Sequence, residues 1–286
     1  MVKKARQLRF GVIGTGDFAE ACHVPGLQSH PQAEVVALCG SDYSRARAVA
    51  DRLGIRDIYL DYEEMCARDD LDAITVASAN AFHAEQAIAA FRHGKHVFCE
   101  KPLALNVEQA DEMLRAANLS GKIHQVAFTF RYNYGVRELR RRVQSGDIGR
   151  PFYLRVQYDN WTALSPDWKA GWREKQHLAG GGILYDLGSH LFDIARFILG
   201  PLQIVTGFCQ NIPRQRYHHF TNELTDVETD DLAASWFRHE NGTRGQWFIS
   251  RATPRFTENG YLEVIGEEAA LRAGLSRGKV DTLKIS

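Results

Sequence analysis

Short apolar runs and helix-compatible segments alternate along the first half of the chain. The pattern predicts helices at residues 46–53 and 107–119. It predicts buried strands at residues 8–13, 34–40, 73–77, 96–99 and 124–130. Such regular alternation is typical of a parallel, doubly wound α/β sheet. We therefore expect an N-terminal α/β domain over residues 1–125.

The pattern changes after residue 145, where strand-like segments follow one another without helices between most of them. A basic helix, predicted at residues 136–143, leads into this part. The strand-like segments are 151–158, 204–210, 231–237, 245–250 and 261–266. Consecutive strands of this kind are typical of an antiparallel sheet. The sequence therefore predicts a second α/β domain over residues 126–286, with a mainly antiparallel sheet.

A glycine-rich turn follows the first predicted strand and precedes a helix. Residues 14–19 read Gly-Thr-Gly-Asp-Phe-Ala, the Gly-x-Gly-x-x-Gly/Ala pattern of dinucleotide-binding (Rossmann) domains. Gly14 allows the tight turn, Gly16 lets the backbone approach a pyrophosphate, and Ala19 lets the helix pack closely on the strand. The helix N-terminus adds N–H groups that bind phosphate. The predicted cofactor contacts are Gly14, Thr15, Gly16, Asp17 and Phe18.

The end of the second strand bears on the choice of nucleotide. NAD enzymes usually carry an acidic residue there, which binds the ribose hydroxyls, whereas this chain has Gly40 and Ser41. A 2′-phosphate would then have room, and it could bind Ser41 and pair with Arg45. The sequence therefore favours NADP over NAD. Asp42 could instead serve as a displaced ribose ligand, and Arg45 could belong to the solvated face of the helix.

Three polar residues, Ser78, Asn80 and His83, follow the third predicted strand. Because the carboxyl ends of parallel strands share one edge of a sheet, we expect them near the glycine-rich turn. Asn80 and His83 are candidates to bind the ribose or the nicotinamide end of the cofactor, with Ser78 beside them. The alternatives are that Asn80 caps a helix and that His83 is an ordinary residue of its first turn.

The strand predicted at residues 96–99 ends in Glu100-Lys101-Pro102. Pro102 lacks an N–H and biases Lys101 away from helical geometry, so the strand stops with the lysine projecting at its carboxyl end. Ligands of open parallel sheets bind at that end. Lys101 is therefore a candidate contact of cofactor and substrate, and Glu100 is grouped with the cofactor contacts.

Three consecutive glycines, Gly180 to Gly182, precede a predicted helix in the second domain. If the helix begins there, Asp186 and His190 are four residues apart and share one face. A histidine can take and return a proton near neutral pH, and a neighbouring carboxylate can orient it. Three glycines weaken a surface helix, so they fit better as the flexible or closely approached wall of a pocket. The alternative is a routine surface pair on a capped helix.

Composition excludes several classes of protein. The 286 residues include 35 basic and 35 acidic side chains, so neither nucleic acid nor an anionic membrane surface is an expected partner. Five scattered cysteines fit reduced core thiols and a cytoplasmic location. We expect no signal peptide, no membrane span and no metal site.

Together these motifs resemble the glucose-fructose oxidoreductase / inositol dehydrogenase / rhizopine catabolism family, written Gfo/Idh/MocA. The resemblance covers nearly the whole chain, and the joint order and spacing are far more specific than any single motif. It implies an N-terminal Rossmann parallel sheet and a C-terminal α/β domain with an open, mainly antiparallel sheet. The exposed face of that sheet would join subunits into a dimer or tetramer. The matching residues are Gly14-Thr15-Gly16, Asn80, His83, Glu100-Lys101-Pro102, Arg131, Gly180-Gly181-Gly182, Asp186, His190 and Asp193.

The resemblance also implies reversible hydride transfer between NAD(P) and a secondary alcohol or ketone of a sugar, polyol or cyclitol. Lys101 would polarise the reacting oxygen, His190 would accept or donate the proton, and Asp186 would help to orient the substrate. The candidates to line the sugar subsite are Trp172 and Arg173, together with Arg131 and Tyr132. For each of them, core packing or a structural ion pair is the alternative.

Two other functions remain open: an NAD-retaining glycosidase of the same fold and a non-catalytic dinucleotide-binding regulator. The intact Glu100-Lys101-Pro102 and the Asp186/His190 set argue against the regulator. Ala79 stands where the family often has proline, a mild departure. Because family members usually continue past the point equivalent to Ser286, we expect the second domain to be short at its C-terminus.

Overall fold

The computed structural model describes residues 6–212, 215–219, 221–254, 260–275 and 283–286. The chain divides into two compact units, Met1–Ala127 and Phe128–Ser286. This division falls after Ala127, whereas the sequence placed the domain boundary after residue 125.

From residue 6 onward, the first unit contains six strands: β1 (Leu8–Ile13), β2 (Ala33–Cys39), β3 (Asp57–Tyr59), β4 (Ala73–Val76), β5 (His96–Cys99) and β6 (His124–Val126). All of them pair in parallel, in the order β3-β2-β1-β4-β5-β6. The direction of winding reverses between β1 and β4, which is the switch point where doubly wound sheets bind their ligands. The predicted parallel sheet is confirmed.

Helices cover both faces of this sheet. The helices are α1 (Val24–Gln28), α2 (Tyr43–Leu53), α3 (Tyr62–Cys66), α4 (His83–Arg92) and α5 (Val107–Ser120). Neighbouring residues of a strand face opposite sides, so Val12 packs with Val49 of α2, whereas Ile13 belongs to the cluster that holds Ala87 of α4. Burial on both faces explains why these strands read as continuous apolar runs.

The strand predicted at residues 124–130 is shorter than expected. β6 ends at Val126, which pairs with Cys99, the last residue of β5. Ala127 still donates its backbone N–H to the carbonyl oxygen of Cys99, the last residue of β5, at 2.8 Å, and the chain then forms the 3₁₀ helix Thr129–Tyr132.

Among the described residues, the second unit is built on a seven-stranded sheet in which one neighbouring pair of strands is parallel and the other pairs are antiparallel. The strands of this sheet are β7 (Pro151–Asp159), β8 (Leu202–Gln210), β11 (Leu232–His239), β12 (Arg244–Ser250), β13 (Tyr261–Gly266), β14 (Ala270–Gly274) and β15 (Leu283–Ile285). A separate hairpin consists of β9 (Gln215–Tyr217) and β10 (Leu224–Asp226). The order is β15-β14-β13-β7-β12-β11-β8, with β7 and β12 parallel. The predicted mainly antiparallel sheet is confirmed.

One face of this second sheet packs on helices and the other is open. The helices of the unit are α6 (Tyr134–Ser145), α7 (Gln176–Ala179) and α8 (Ser189–Leu199). Leu154 of β7 belongs to the same buried cluster as Leu139 of α6 and Leu191 of α8. On the opposite face Trp236 and Phe208 are each about half exposed.

Within the described part of the chain, none of the helices combines the length and the apolar composition that a bilayer span requires. Cys39, Cys66 and Cys99 are buried, and burial raises the pKa of the Cys39 thiol to about 12. Cys22 and Cys209 are exposed, so three of the five cysteines are core thiols.

Candidate functional site

The turn after β1 is crowded on one side and open on the other. Gly14 has a φ of +119°, and a Cβ on it would lie 2.6 Å from the carbonyl carbon of Ala77. At Gly16 a Cβ would meet no atom within 4 Å. The chain becomes helical at Asp17. The turn can therefore lay the backbone of Gly16 against a pyrophosphate beside the N–H groups of a helix start, which fits a dinucleotide.

Arg45 lies against this turn. Its Nε donates to the carbonyl oxygen of Thr15 at 3.0 Å. Gly40 also packs closely there, because a Cβ on it would lie 2.7 Å from Cγ2 of Thr15. The Asp42 carboxylate caps α2 by accepting the backbone N–H of Arg45 at 2.7 Å. Ser41 is exposed just beyond the end of β2, and the nearby Asp42 carboxylate has a structural task.

His83 is completely buried below the loop that follows β4. Its Nδ1 lies 2.8 Å from the carbonyl oxygen of Pro102, and its Nε2 lies 3.2 Å from the carbonyl oxygen of Ser78. Burial lowers the pKa of His83, which favours the neutral ring, and a neutral imidazole has one N–H to donate. The contacts tie the loop after β4 to the loop after β5, and direct contact of His83 with a cofactor stays a prediction.

Asn80 begins the short 3₁₀ helix Asn80–Phe82 and is only 6% exposed. The N-cap residue of that helix is Ala79, so Asn80 does not act as the cap. Ser78 donates from Oγ to Oε1 of Gln86 at 2.6 Å, which holds the loop to α4. Cofactor contacts by Ser78 and Asn80 stay predictions.

Glu100 is buried at the end of β5 and bonded to a histidine that no sequence motif marks. Its Oε1 lies 2.7 Å from Nε2 of His23, and its Oε2 accepts the backbone N–H of Lys101 at 3.1 Å. The rings of Phe18 and Phe98 meet the His23 ring edge-on. Glu100 therefore holds the backbone of Lys101. The only sequence signal for the contact of His23 with Glu100 is the position of His23 in the helix after the glycine-rich turn.

The glycine triplet is closely approached, but by the chain itself. A Cβ on Gly182 would lie 2.7 Å from the carbonyl carbon of Asp230, and one on Gly181 would overlap the ring of Tyr185. The Asp230 carboxylate accepts the N–H groups of Gly182 and Leu184, each at 2.8 Å. Asp230 thus caps the helical segment that follows the glycines, and sequence reasoning missed it because it lies 48 residues beyond Gly182.

His190 lies in the first turn of α8, after the π-helical turn Leu184–Gly188 that carries Asp186. The wider turn replaces the uninterrupted helix expected after the glycines; such turns are frequent at functional sites. The His190 ring is 1% exposed, stacks on Phe130 with centroids 4.4 Å apart, and meets Phe128 edge-on. This stacking fixes the plane of the imidazole. Its pairing with Asp186 stays a prediction.

Arg131 forms a two-pronged ion pair with Asp193. Nε donates to Oδ2 at 2.7 Å, and a terminal nitrogen donates to Oδ1 at 2.5 Å. The Asp193 side chain is 7% exposed and that of Arg131 is 44% exposed. The guanidinium also lies over the ring of Phe197 at 5.1 Å. Arg131 therefore has the structural ion pair that was its alternative role, and its contact with a substrate stays a prediction.

Trp172 and Arg173 lie in the 3₁₀ helix Trp172–Glu174, and the Arg173 guanidinium stacks 4.4 Å above the Trp172 ring. Glu174, only 1% exposed, holds this turn from below. Its carboxylate accepts the N–H of Gly171 at 2.8 Å and the indole N–H of Trp168 at 3.2 Å. A fixed turn thus presents the exposed Arg173, and a sugar-binding role for both residues stays a prediction.

Two family models match the chain. The model described as "Oxidoreductase family, NAD-binding Rossmann fold" matches residues 8–128, and the model described as "GFO/IDH/MocA C-terminal domain" matches residues 136–272. The matched segments include the glycine-rich turn, Lys101, and the helical segment with Asp186 and His190.

Individual proteins are similar over much of the chain. A 1,5-anhydro-D-fructose reductase of Ensifer adhaerens is 32% identical over 265 residues, which cover 92% of this chain and 74% of that protein. A D-glucoside 3-dehydrogenase of Escherichia coli (strain K12) is 34% identical over 195 residues, which cover 68% of this chain and 54% of that protein. The crystal structure of a NAD binding oxidoreductase from Klebsiella pneumoniae superposes with a TM-score of 0.85 at 30% identity, covering 98% of this chain and 79% of that one. The chain thus spans between 54% and 79% of the length of these proteins.

Proposed function

Because the chain belongs to the Gfo/Idh/MocA family of NAD-binding oxidoreductases, we propose that it transfers a hydride between a nicotinamide cofactor and a secondary alcohol or ketone of a sugar, polyol or cyclitol. The observation that carries this proposal is the match of both family models, one over each unit. The names of the similar Ensifer adhaerens and Escherichia coli proteins, a reductase and a dehydrogenase of sugar derivatives, support the substrate class.

The proposed chemistry gives three side chains separate tasks. Oxidation of an alcohol removes a hydride and a proton, so negative charge develops on the oxygen. The Lys101 ammonium stabilises that charge. His190 takes the proton during oxidation and returns it during reduction, and Asp186 orients the substrate. The bond from Glu100 to the Lys101 backbone and the stacking of His190 on Phe130 support these assignments, because each holds its residue in a defined pose.

NADP is the proposed preferred cofactor. β2 ends in Cys39-Gly40-Ser41 without a carboxylate, and the Asp42 carboxylate is engaged as the cap of α2. Arg45 is anchored at Thr15, beside the turn that would hold the pyrophosphate, and a guanidinium binds phosphate well. The Klebsiella pneumoniae protein is described as NAD binding, which makes NAD the competing choice.

Fluorescence titration with NADPH and NADH tests the nucleotide preference. We expect NADPH to bind at least about tenfold more tightly, a difference of about 1.4 kcal/mol. Arg45→Ala should remove the preference. Arg47→Ala changes a neighbouring arginine of α2 and should keep it. Equal affinities for the two nucleotides in the wild type would refute the NADP assignment.

Turnover on a panel of sugars, anhydrosugars, glucosides and inositols tests the proposed reaction. We expect the wild type to reduce NADP⁺ or NAD⁺ with at least one member of the panel. Lys101→Met should lower turnover by at least about 100-fold even at saturating nucleotide, and Lys122→Met serves as the control. Sugar hydrolysis without net nucleotide turnover would indicate the NAD-retaining glycosidase instead. Nucleotide binding without any turnover would indicate the regulator.

Two further properties follow as proposals. A homo-oligomer would form through the open face of the second sheet, where Trp236 and Phe208 are about half exposed. Light scattering of the wild type and of Trp236→Lys tests this, because a charge at the contact should shift the protein towards the monomer.

A cytoplasmic location rests on the cysteines, three of which are buried thiols.

A further inference from the structure

We propose that His23 is a positioning residue for Lys101, that it acts through Glu100, and that the His23–Glu100 pair links the cofactor-binding helix to the Lys101 turn. The inference rests on the proposed role of Lys101. His23 closes the π-helical turn Ala19–His23, which belongs to the helix that begins directly after Gly16. Glu100 follows the last residue of β5.

The pair is short and shielded from water. Nε2 of His23 lies 2.7 Å from Oε1 of Glu100, and the two side chains are 7% and 9% exposed. The rings of Phe18 and Phe98 close around His23, with centroids 5.6 Å and 5.4 Å from that of the imidazole. A buried carboxylate depends on its hydrogen-bond donors, because leaving it unpaired is costly. The bond therefore holds the Glu100 carboxylate in one place.

The same carboxylate controls the backbone of the proposed catalytic lysine. Oε2 of Glu100 accepts the N–H of Lys101 at 3.1 Å, and the carbonyl oxygen of Pro102 lies 2.8 Å from Nδ1 of the buried His83. The Glu100 carboxylate and the His83 ring, both buried, thus hold the backbone at Lys101 and at Pro102. The Lys101 ammonium must lie within a few tenths of an ångström of its productive position relative to the reacting oxygen. A shift of Glu100 would therefore lower the rate of hydride transfer.

A purely structural role for the pair makes a different prediction. Loss of the bond would then lower the thermal stability of the first unit but leave the turnover of the folded protein unchanged. A positioning role requires that kcat fall more than nucleotide affinity does. It also requires that kcat be restored by a different side chain that places a hydrogen-bond donor where Nε2 of His23 lies.

Four variants separate these roles, with kcat, KM, NADPH affinity and melting temperature measured for each. His23→Leu removes the donor, and His23→Gln places an amide N–H near the position of Nε2. His23→Asn stays polar but is too short, and it carries the test if His23→Leu does not fold. His239→Leu is the matched control, because His239 is likewise buried, at 1% exposed, but lies in the second unit, where its Nδ1 lies 2.9 Å from the carbonyl oxygen of Gly200.

We expect His23→Leu and His23→Asn to lower kcat by at least about tenfold with NADPH affinity nearly unchanged. His23→Gln should recover most of kcat, and His239→Leu should lose melting temperature without losing kcat. Wild-type kcat in His23→Leu or His23→Asn, or no recovery in His23→Gln, overturns the inference. Lys101→Met is measured alongside: if it turns over like the wild type, the proposed function of Lys101 fails, whereas loss in Lys101→Met with none in the His23 variants refutes only the positioning role.

Discussion

The backbone of Asp230 packs directly against Gly182: the carbonyl carbon of Asp230 lies 2.7 Å from the point that a Cβ on Gly182 would occupy. Its carboxylate accepts the N–H groups of Gly182 and Leu184, each at 2.8 Å. The first N–H groups of a helix have no partner within the helix, and a negative charge there is favourable. Asp230 therefore fixes the start of the segment that carries Asp186 and His190.

Removal of this cap should affect both stability and turnover. We expect Asp230→Ala to lower the free energy of unfolding by about 1–2 kcal/mol, measured by urea denaturation. It should also lower kcat, because the segment with His190 loses its fixed start. Asn106→Ala is the control, since Asn106 caps α5 of the first unit by accepting the N–H of Gln109 at 2.9 Å. If both variants keep wild-type kcat, the cap does not position His190.

The two glycines of the first turn should respond differently to alanine. Gly16→Ala has open space for its Cβ, so we expect a normal melting temperature but at least about tenfold weaker nucleotide binding, because the methyl group obstructs the pyrophosphate. Gly14→Ala should lose melting temperature as well, because its φ of +119° and the nearby Ala77 carbonyl exclude a side chain. Tight nucleotide binding by Gly16→Ala would show that the pyrophosphate lies elsewhere.

His83 should make the first unit sensitive to acid. Burial lowers the pKa of His83, whereas a histidine in the unfolded chain titrates at about pH 6.5. The unfolded state therefore binds more protons as the pH falls, so the stability that His83 contributes is present above about pH 6.5 and is lost below it. We expect His83→Gln to show a smaller drop in melting temperature than the wild type between about pH 7 and about pH 5. An equal drop in both proteins would contradict this account.

Arg131 should contribute to stability, because it pairs with the buried Asp193 carboxylate. Arg131→Met leaves the buried Asp193 carboxylate without its two-pronged partner, and we expect a loss of about 2 kcal/mol, less than for a fully buried pair because Arg131 is 44% exposed. Arg131→Lys should recover only part of this, because an ammonium cannot make the paired bonds. An Arg131→Met protein as stable as the wild type but with a raised substrate KM would make Arg131 a substrate contact instead.

The sequence was most informative where the pattern is local. β1 and its glycine-rich turn could be predicted because an apolar run and close glycine spacing determine both. Five strands of the second sheet were predicted as strand-like segments, each within two residues of its observed ends. Local patterns did not show that β7 and β12 pair in parallel, because that pairing joins strands that are distant in sequence.

The side chains that support the candidate site escaped prediction for the same reason. Asp230 lies 48 residues from Gly182, and His23 lies 77 residues from Glu100. The contacts of Asp230 and His23 depend on tertiary packing, which the spacing of residues within a motif does not predict. The π-helical turn Leu184–Gly188 was also missed, since the periodicity of apolar residues cannot separate it from an ordinary helix.

Transfer of deuterium tests the central claim most directly. The protein is incubated with a nicotinamide nucleotide deuterated at its reactive carbon and with the ketone form of the best substrate from the panel, and the product is examined by mass spectrometry and NMR. We predict one deuterium on the carbinol carbon of the product, with one nucleotide oxidised for each molecule formed. A product without the label, or one formed without net oxidation of nucleotide, would contradict the assignment of this chain as a sugar or polyol oxidoreductase.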